Sequence, residues 1–173
     1  MANGDSGRDG DELAGQARAL LRGQCQGVLS TISVHRPGYP YGSLTPYALS
    51  LSGAPLILIS TLAAHTQNLL ADARASLFIA ELGAAGSPEL SDDPQASGRI
   101  ALLGRFAPVP AAIEADARAR YAARLPRAAA NSQSRDFQYW EMTVEEVRLI
   151  AGFGRMAWMA GATVLGDPDA TLP

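Results

Sequence analysis

Apolar positions along this chain repeat first at helical and then at strand spacing. In residues 11–22, DELAGQARALLR, the side chains of Leu13, Ala17, Leu20 and Leu21 fall on one side, with Asp9 or Asp11 available to cap the start and Gly23 to stop the end. That pattern predicts an amphipathic helix packed on a sheet or on the end of a barrel. Residues 1–10, rich in Gly, Asp and Ser, carry little apolar surface and are expected to be a disordered lead-in. Residues 27–34, GVLSTISV, are short, β-branched and bounded by glycine and by Pro37-Gly38, which predicts a first strand.

Residues 41–51 predict a second strand, interrupted at Pro46. A proline has no N–H to give to a ladder, so it marks an edge, a bulge or a place where the backbone turns toward something else, such as a ligand. The nearly continuous apolar run 56–61 predicts a third strand, residues 64–71 a short helix, and ASLFIAEL at 75–82 a fourth strand. Gly, Pro, Ser and Asp dominate residues 83–98, a loop long enough to cover a site or an interface, or to be plain surface. Alternation over 99–109 gives a fifth strand, and Pro110 opens a helix that reaches Leu125. Residues 137–142 and 147–153 read as two further strands joined near 143–146. An apolar segment at 156–159 then leads into a loose tail over 161–173.

Six or seven short antiparallel strands with few helices predict a mainly β fold, a closed β-barrel with flanking helices over its ends, the open sandwich being the alternative. Neither a repeat nor a linker divides the 173 residues, so 11–160 are expected to form one domain.

Composition removes several classes of function. The formal net charge is −3 and the arginines are scattered, which gives no footprint for nucleic acid or for an anionic membrane surface. All 14 cationic side chains are arginine, so no lysine is available for a Schiff base. Cys25 is the single cysteine, which excludes an internal disulfide and a multi-cysteine zinc site. No stretch approaches the ~20 apolar residues of a membrane span, and the first residues show no apolar signal region. The expectation is a cytoplasmic protein acting on a small molecule, with no nucleic-acid or membrane partner and no metal site.

Candidate chemistry gathers between residues 38 and 68. Period-two alternation sends Ser43, Thr45 and Tyr47 to one face and Leu44 to the other, so the hydroxyl face is either solvent or a polar pocket. Ser60 and Thr61 end the third strand, and His65, Thr66 and Asn68 follow in the first turn and a half of the short helix. Unpaired N–H groups and the helix dipole favour an anion there; ordinary capping by Thr66 needs no ligand. His35, in a turn, reads as exposed. Serine hydrolase chemistry lacks its Gly-x-Ser-x-Gly elbow, and neither GAAGSPEL nor GFGRMAW has the glycine spacing and context of a dinucleotide fold.

Five segments, GVLSTIS, GYPYGSLTPYAL, LILISTLAAHTQNLLADARASLFIAE, DPQASGRIALLGRFAPV and IAGFGRMAWM, occur in an order that resembles the pyridoxamine 5′-phosphate oxidase-like FMN-binding split barrels. More narrowly, they resemble the branch of the HugZ and HutZ haem-utilisation proteins. The likeness covers residues 18–159. It implies a homodimer with two FMN sites at the subunit interface, each built from both chains. On that pattern Ser43, Leu44, Thr45 and Tyr47 lie along the isoalloxazine edge, and Ser60, Thr61, His65, Thr66 and Asn68 surround the phosphate. Arg99, Arg155 and Trp158 match positions that approach the flavin across the interface.

Two departures bear on activity. Where the oxidase pattern has Ser-Arg-Lys at the phosphate, this chain has Ala64, His65 and Thr66. The exchange removes charge-assisted contacts worth roughly 1.5 to 3 kcal/mol each and leaves helix amides and hydroxyls. The haem-utilisation branch itself favours this less basic pattern. No histidine follows His65, so axial haem ligation would fall to His35 or His65. The chain is expected to be without the extra C-terminal domain of longer members, and the substrate clamp of vitamin B6 oxidases is not found. Three readings follow from the resemblance: an FMN-dependent oxidoreductase of unknown substrate, a haem-binding protein using the same dimer without flavin, or a non-enzymatic dimer whose flavin site has decayed.

Overall fold

The computed structural model describes residues 5–81, 97–130, 134–152 and 154–166. Helix α1 spans Asp5–Gly23 and turns Leu13, Ala14, Ala17 and Leu21 into the core. It begins six residues before the expected start, so the lead-in over 5–10 is helical rather than disordered. The reason is tertiary: Arg155, far along the chain, bonds Glu12 Oε1 at 3.0 Å and reaches Asp9 Oδ1 at 3.5 Å, fastening the early turns. Local propensity in a Gly-Asp-rich stretch could not register that contact.

The strands are β1 (Gln26–Ile32), β2 (Pro40–Pro46), β3 (Ala48–Leu49), β4 (Pro55–Ser60), β5 (Arg74–Ala80), β6 (Arg99–Pro108), β7 (Phe137–Ile150) and β8 (Met156–Ala160). Helix α2 is Ala64–Ala71; α3 is Glu114–Arg124, preceded by a 3₁₀ turn at Ala111–Ile113; α4 is Pro126–Ala129 and α5 is Gly161–Val164. Every ladder is antiparallel, in the order β2-β1-β5-β6-β7-β4-β3, with β8 pairing the far half of β7. The sheet curls into a half-barrel with helices over its ends, the mainly β, barrel-like fold expected.

Three details differ from the sequence reading. The two strands expected around 143–146 are one, β7, 14 residues long. Its ladder with β6 slips there: Leu103 faces Glu146 while Gly104 faces Val144, so Glu145 is an extra residue in a bulge. Adjacent exposed glutamates break the alternation, which imitates a turn. The segment at 156–159 is a strand, and the tail after it opens with α5, where Val164 is fully buried. Arg18 holds this end by donating to Val164 O at 3.0 Å and Thr163 O at 2.8 Å. Most of the loop expected at 83–98, and residues 167–173, lie outside the described residues.

The main core fills the curl with Leu29, Ile57, Leu77, Ile79, Ile100, Leu102, Phe106 and Trp140, and α1 contributes Ala17 and Leu21. A second cluster lies behind the sheet, where Leu56 and Leu58 of β4 meet Ala117 and Tyr121 of α3 and Tyr139 of β7. Strand β4 is therefore covered on both faces, which accounts for its unbroken apolar sequence.

Candidate functional site

The hydroxyl row of β2 turns inward. Thr45 and Tyr47 are 3% and 1% exposed, so these two side chains lie in the interior of the curl rather than in solvent, with Ser43 half-buried beside them. Each polar group is satisfied locally: Tyr47 Oη donates to Leu21 O at 2.8 Å, and Thr45 Oγ1 donates to Ser43 O at 3.3 Å. Burial pushes the Tyr47 phenol well above its ordinary range, so it stays protonated. Pro46 ends β2, and Tyr47 N then donates to Cys25 O at 2.9 Å, which turns the backbone toward α1 rather than toward a ligand. Leu44 alone of this group faces outward, 70% exposed.

The second group surrounds the start of α2. Thr66 is buried and donates its hydroxyl to Ser60 O at 2.6 Å, so it closes the strand-to-helix turn instead of capping the helix. Asn68, also buried, accepts from Val34 N at 2.9 Å and donates to Thr31 Oγ1 at 2.9 Å, bracing α2 against β1. Gln67 Nε2 reaches Thr61 O at 2.7 Å, and Ser60 Oγ accepts from Leu62 N at 3.2 Å. Helix α2 has no side-chain cap at Ala63 and no acidic residue in its first turn, which leaves the positive end of its dipole open. His65 adds no cation to it. Its Nε2 is buried without a hydrogen-bond partner among the described residues, and desolvation lowers its pKa, so the imidazole is neutral at pH 7.

The third group lies on the outer face of the sheet. Cross-strand pairing aligns Leu44, Val28, Phe78, Ala101, Arg148 and Trp158 in one row across six strands. Leu44, Val28, Phe78 and Trp158 are all exposed. The neighbouring row runs from Ala80 through Arg99 and Ile150 to Met156. The Arg148 guanidinium stands 5.4 Å from the centre of the Trp158 ring and donates to Met156 Sδ at 2.9 Å. Arg99 Nη1 donates to Ser97 O at 3.1 Å. Arg155 does not join them; its two bonds go to α1.

The structure thus brings Leu44, Arg99 and Trp158 to one face, gathers Ser60, Thr61 and His65 at another place, and commits Thr45, Tyr47, Thr66, Asn68 and Arg155 to internal bonds. Sequence analysis missed Val28, Phe78 and Arg148. A signal was present in GVLSTISV, where Val28 and Leu29 are consecutive and point to opposite faces. A strand apolar on both faces asks for cover on both. Helix α3 supplies it behind β4, and among the described residues no element supplies it behind β1.

Among known proteins, residues 8–165 match the family model described as CREG, beta-barrel. The chain is 33% identical over 138 residues to the non-canonical heme oxygenase HOZ, chloroplastic, of Arabidopsis thaliana, covering 79% of this chain and 40% of that protein. The structure of a heme binding protein from Mycobacterium smegmatis superposes with a TM-score of 0.78 at 32% identity, over 88% of this chain and 59% of that one. HutZ, described as a heme storage protein from Vibrio cholerae, superposes with a TM-score of 0.64 at 18% identity, over 77% of this chain and 91% of that one. This last likeness is one of fold. The chain therefore spans 40% of the Arabidopsis protein and 59% of the mycobacterial one, less than two thirds of either.

Proposed function

The chain belongs to the CREG β-barrel family, and from that premise we propose that it binds haem as a homodimer, on the outer sheet face at its Arg148–Trp158 end. One observation carries the reading: Trp158 is 58% exposed, Met156 stands in the adjacent row, and Arg148 and Arg99 place guanidiniums on the same face. An apolar surface edged by guanidiniums suits a planar macrocycle that is apolar across its plane and anionic at its carboxylates. Trp158 and Met156 would hold the plane, and Arg148 and Arg99 the carboxylates. Bound haem supplies redox-active iron. The Arabidopsis and mycobacterial relatives, both above 30% identity and named for heme, support this reading. The oxygenase activity belongs to a protein of which this chain spans 40%.

The homodimer rests on the uncovered row of the outer face, and a second copy would cover its Leu44–Val28–Phe78 half. Cys25, exposed and unpaired, suits a reducing compartment such as the cytoplasm.

Titration with haemin, followed in the Soret region, tests the reading. Saturation at one haem per protomer is expected, with Trp158→Ala and Arg148→Ala each weakening binding about tenfold. His35→Ala and His65→Ala identify an axial ligand by the position of the band. No Soret change, or variants that bind like the parent, would sink it.

FMN is the second reading, favoured by the open first turn of α2 beside the Ser60 and Thr61 hydroxyls. It provides amides and hydroxyls for a phosphate but no cation, since His65 is neutral. Flavin fluorescence quenched saturably by the parent and not by a Ser60→Ala/Thr61→Ala variant would support FMN; equal quenching by both would remove it.

A further inference from the structure

A cavity of about 440 Å³, within the range of small-molecule sites, shares no residue with the haem or flavin groups. It lies where the end of β6 meets β7, the β3–β4 turn and the chain leaving α5. Ser52 of the turn, Ala107 and Pro108 of β6, Pro110 just beyond, Glu141 of β7 and Leu165 after α5 all face it. The turn is preformed: Gly53 N donates to Ser50 O and Ser50 N to Ala54 O, each at 2.9 Å. Gly53 has φ +80°, and a Cβ there would lie 2.2 Å from Gly166 O, so glycine lets the turn seat against the chain that leaves α5.

Among the described residues Glu141 is the one charged side chain in this wall, and it is half-buried. Ser52 Oγ donates to its Oε1 at 3.2 Å. An ionised carboxylate only accepts, so the Ser52 proton is committed to it, and the 2.9 Å contact between the Ser50 and Ser52 hydroxyls has Ser50 as donor. Both hydroxyls are neutral and aim the carboxylate without cancelling its charge. Across the ladder Glu141 faces Ala107, not a cation. Arg105, two residues earlier on the same face, is bonded to Glu145, Nε to Oε1 at 3.3 Å. Glu141 therefore makes no ion pair among the described residues. Apart from Ser52 and Thr143 the rest of the lining is apolar, and Pro108 and Pro110 have no N–H to offer an anion. A single carboxylate matches one positive charge, whereas a divalent metal ion asks for more oxygen ligands. From this geometry we infer that the cavity is a binding site for a small organic cation, a protonated primary amine, with its ammonium on Glu141 and its apolar body against Pro108, Pro110 and Leu165.

Isothermal titration of the full chain at neutral pH with benzylammonium, neutral benzyl alcohol and benzoate tests it. Benzylammonium should saturate one site, with benzyl alcohol and benzoate each at least about tenfold weaker. Glu141→Gln keeps an acceptor for Ser52 and removes the charge, so it should weaken benzylammonium about tenfold and leave benzyl alcohol unchanged. Ala107→Phe, at an exposed position facing Glu141, should abolish binding while leaving the melting temperature within about 3 °C. Glu146→Gln, exposed on β7 outside the cavity, serves as the control and should bind as the parent does. The inference is overturned if benzylammonium does not saturate by about 10 mM, if benzyl alcohol or benzoate binds as well, or if Glu141→Gln or Ala107→Phe binds like the parent.

Discussion

At the scale of single residues, two tyrosines carry opposite expectations. Tyr47 and Tyr139 are both buried, yet Tyr47 Oη bonds Leu21 O while Tyr139 Oη has no partner among the described residues. A buried hydroxyl left unpaired costs about 1 to 3 kcal/mol, and a made bond contributes about 1 kcal/mol. Tyr47→Phe should therefore lower stability by about 1 kcal/mol, and Tyr139→Phe should raise it by a similar amount; urea unfolding of both variants measures the signs. His65 gives a pH dependence. Its folded pKa lies below the ordinary value near 6.5, so on acidification the unfolded chain takes up a proton that the folded chain resists. Stability should be constant above about pH 7 and fall as the pH drops below about 6.5. Melting temperatures taken from pH 7.5 to 5.5 should decline less in His65→Gln than in the parent.

At the scale of elements, the β6–β7 ladder decides how a long strand passes over a short one. A Cβ placed on Gly104 would lie 2.0 Å from Thr143 O, so the backbones meet there because the bulge at Glu145 draws them together. Gly104→Ala should force them apart and cost about 1 to 3 kcal/mol, read as a lower urea midpoint with an unchanged m-value. The same ladder shows what the sequence could reveal. Alternation located β6, a β-branched run between glycine and proline located β1, and short apolar runs located β4 and β5, because none of these signals is interrupted within its strand. Alternation split β7 at Val144-Glu145-Glu146-Val147, since a bulge and a turn both interrupt the period, and only a partner strand tells them apart. Helix α1 lost its first turns in the reading for a related cause: its anchor, Arg155, lies more than 140 residues away. Within the candidate site, alternation separated Leu44 from Ser43, Thr45 and Tyr47 correctly, but a pattern cannot say which face is inside. That required α1 over the curl, with Leu21 O waiting for the phenol.

At the scale of the whole molecule, the half-barrel has one sheet face filled by α1 and the core, and an outer face covered by α3 behind β4 but bare behind β1, β2 and β5 among the described residues. A contiguous apolar row of this kind is the usual mark of an association surface. Leu44→Asp and Phe78→Asp should each convert the proposed homodimer to monomer in light scattering at micromolar concentration while leaving the circular dichroism spectrum intact, since neither side chain reaches the core. A parent protein that is monomeric in the same experiment would contradict the dimer.

That row has a consequence for how the chain folds. Leu44, Val28, Phe78, Ala101, Arg148 and Trp158 come from six strands and align only when five ladders have each found their register. A slip of one residue in any ladder would reverse the faces of a whole strand and scatter the row. If two copies associate through this surface as proposed, association selects for correctly paired chains: a misregistered subunit would offer its partner nothing to match, and assembly would act as a proofreading step on the fold.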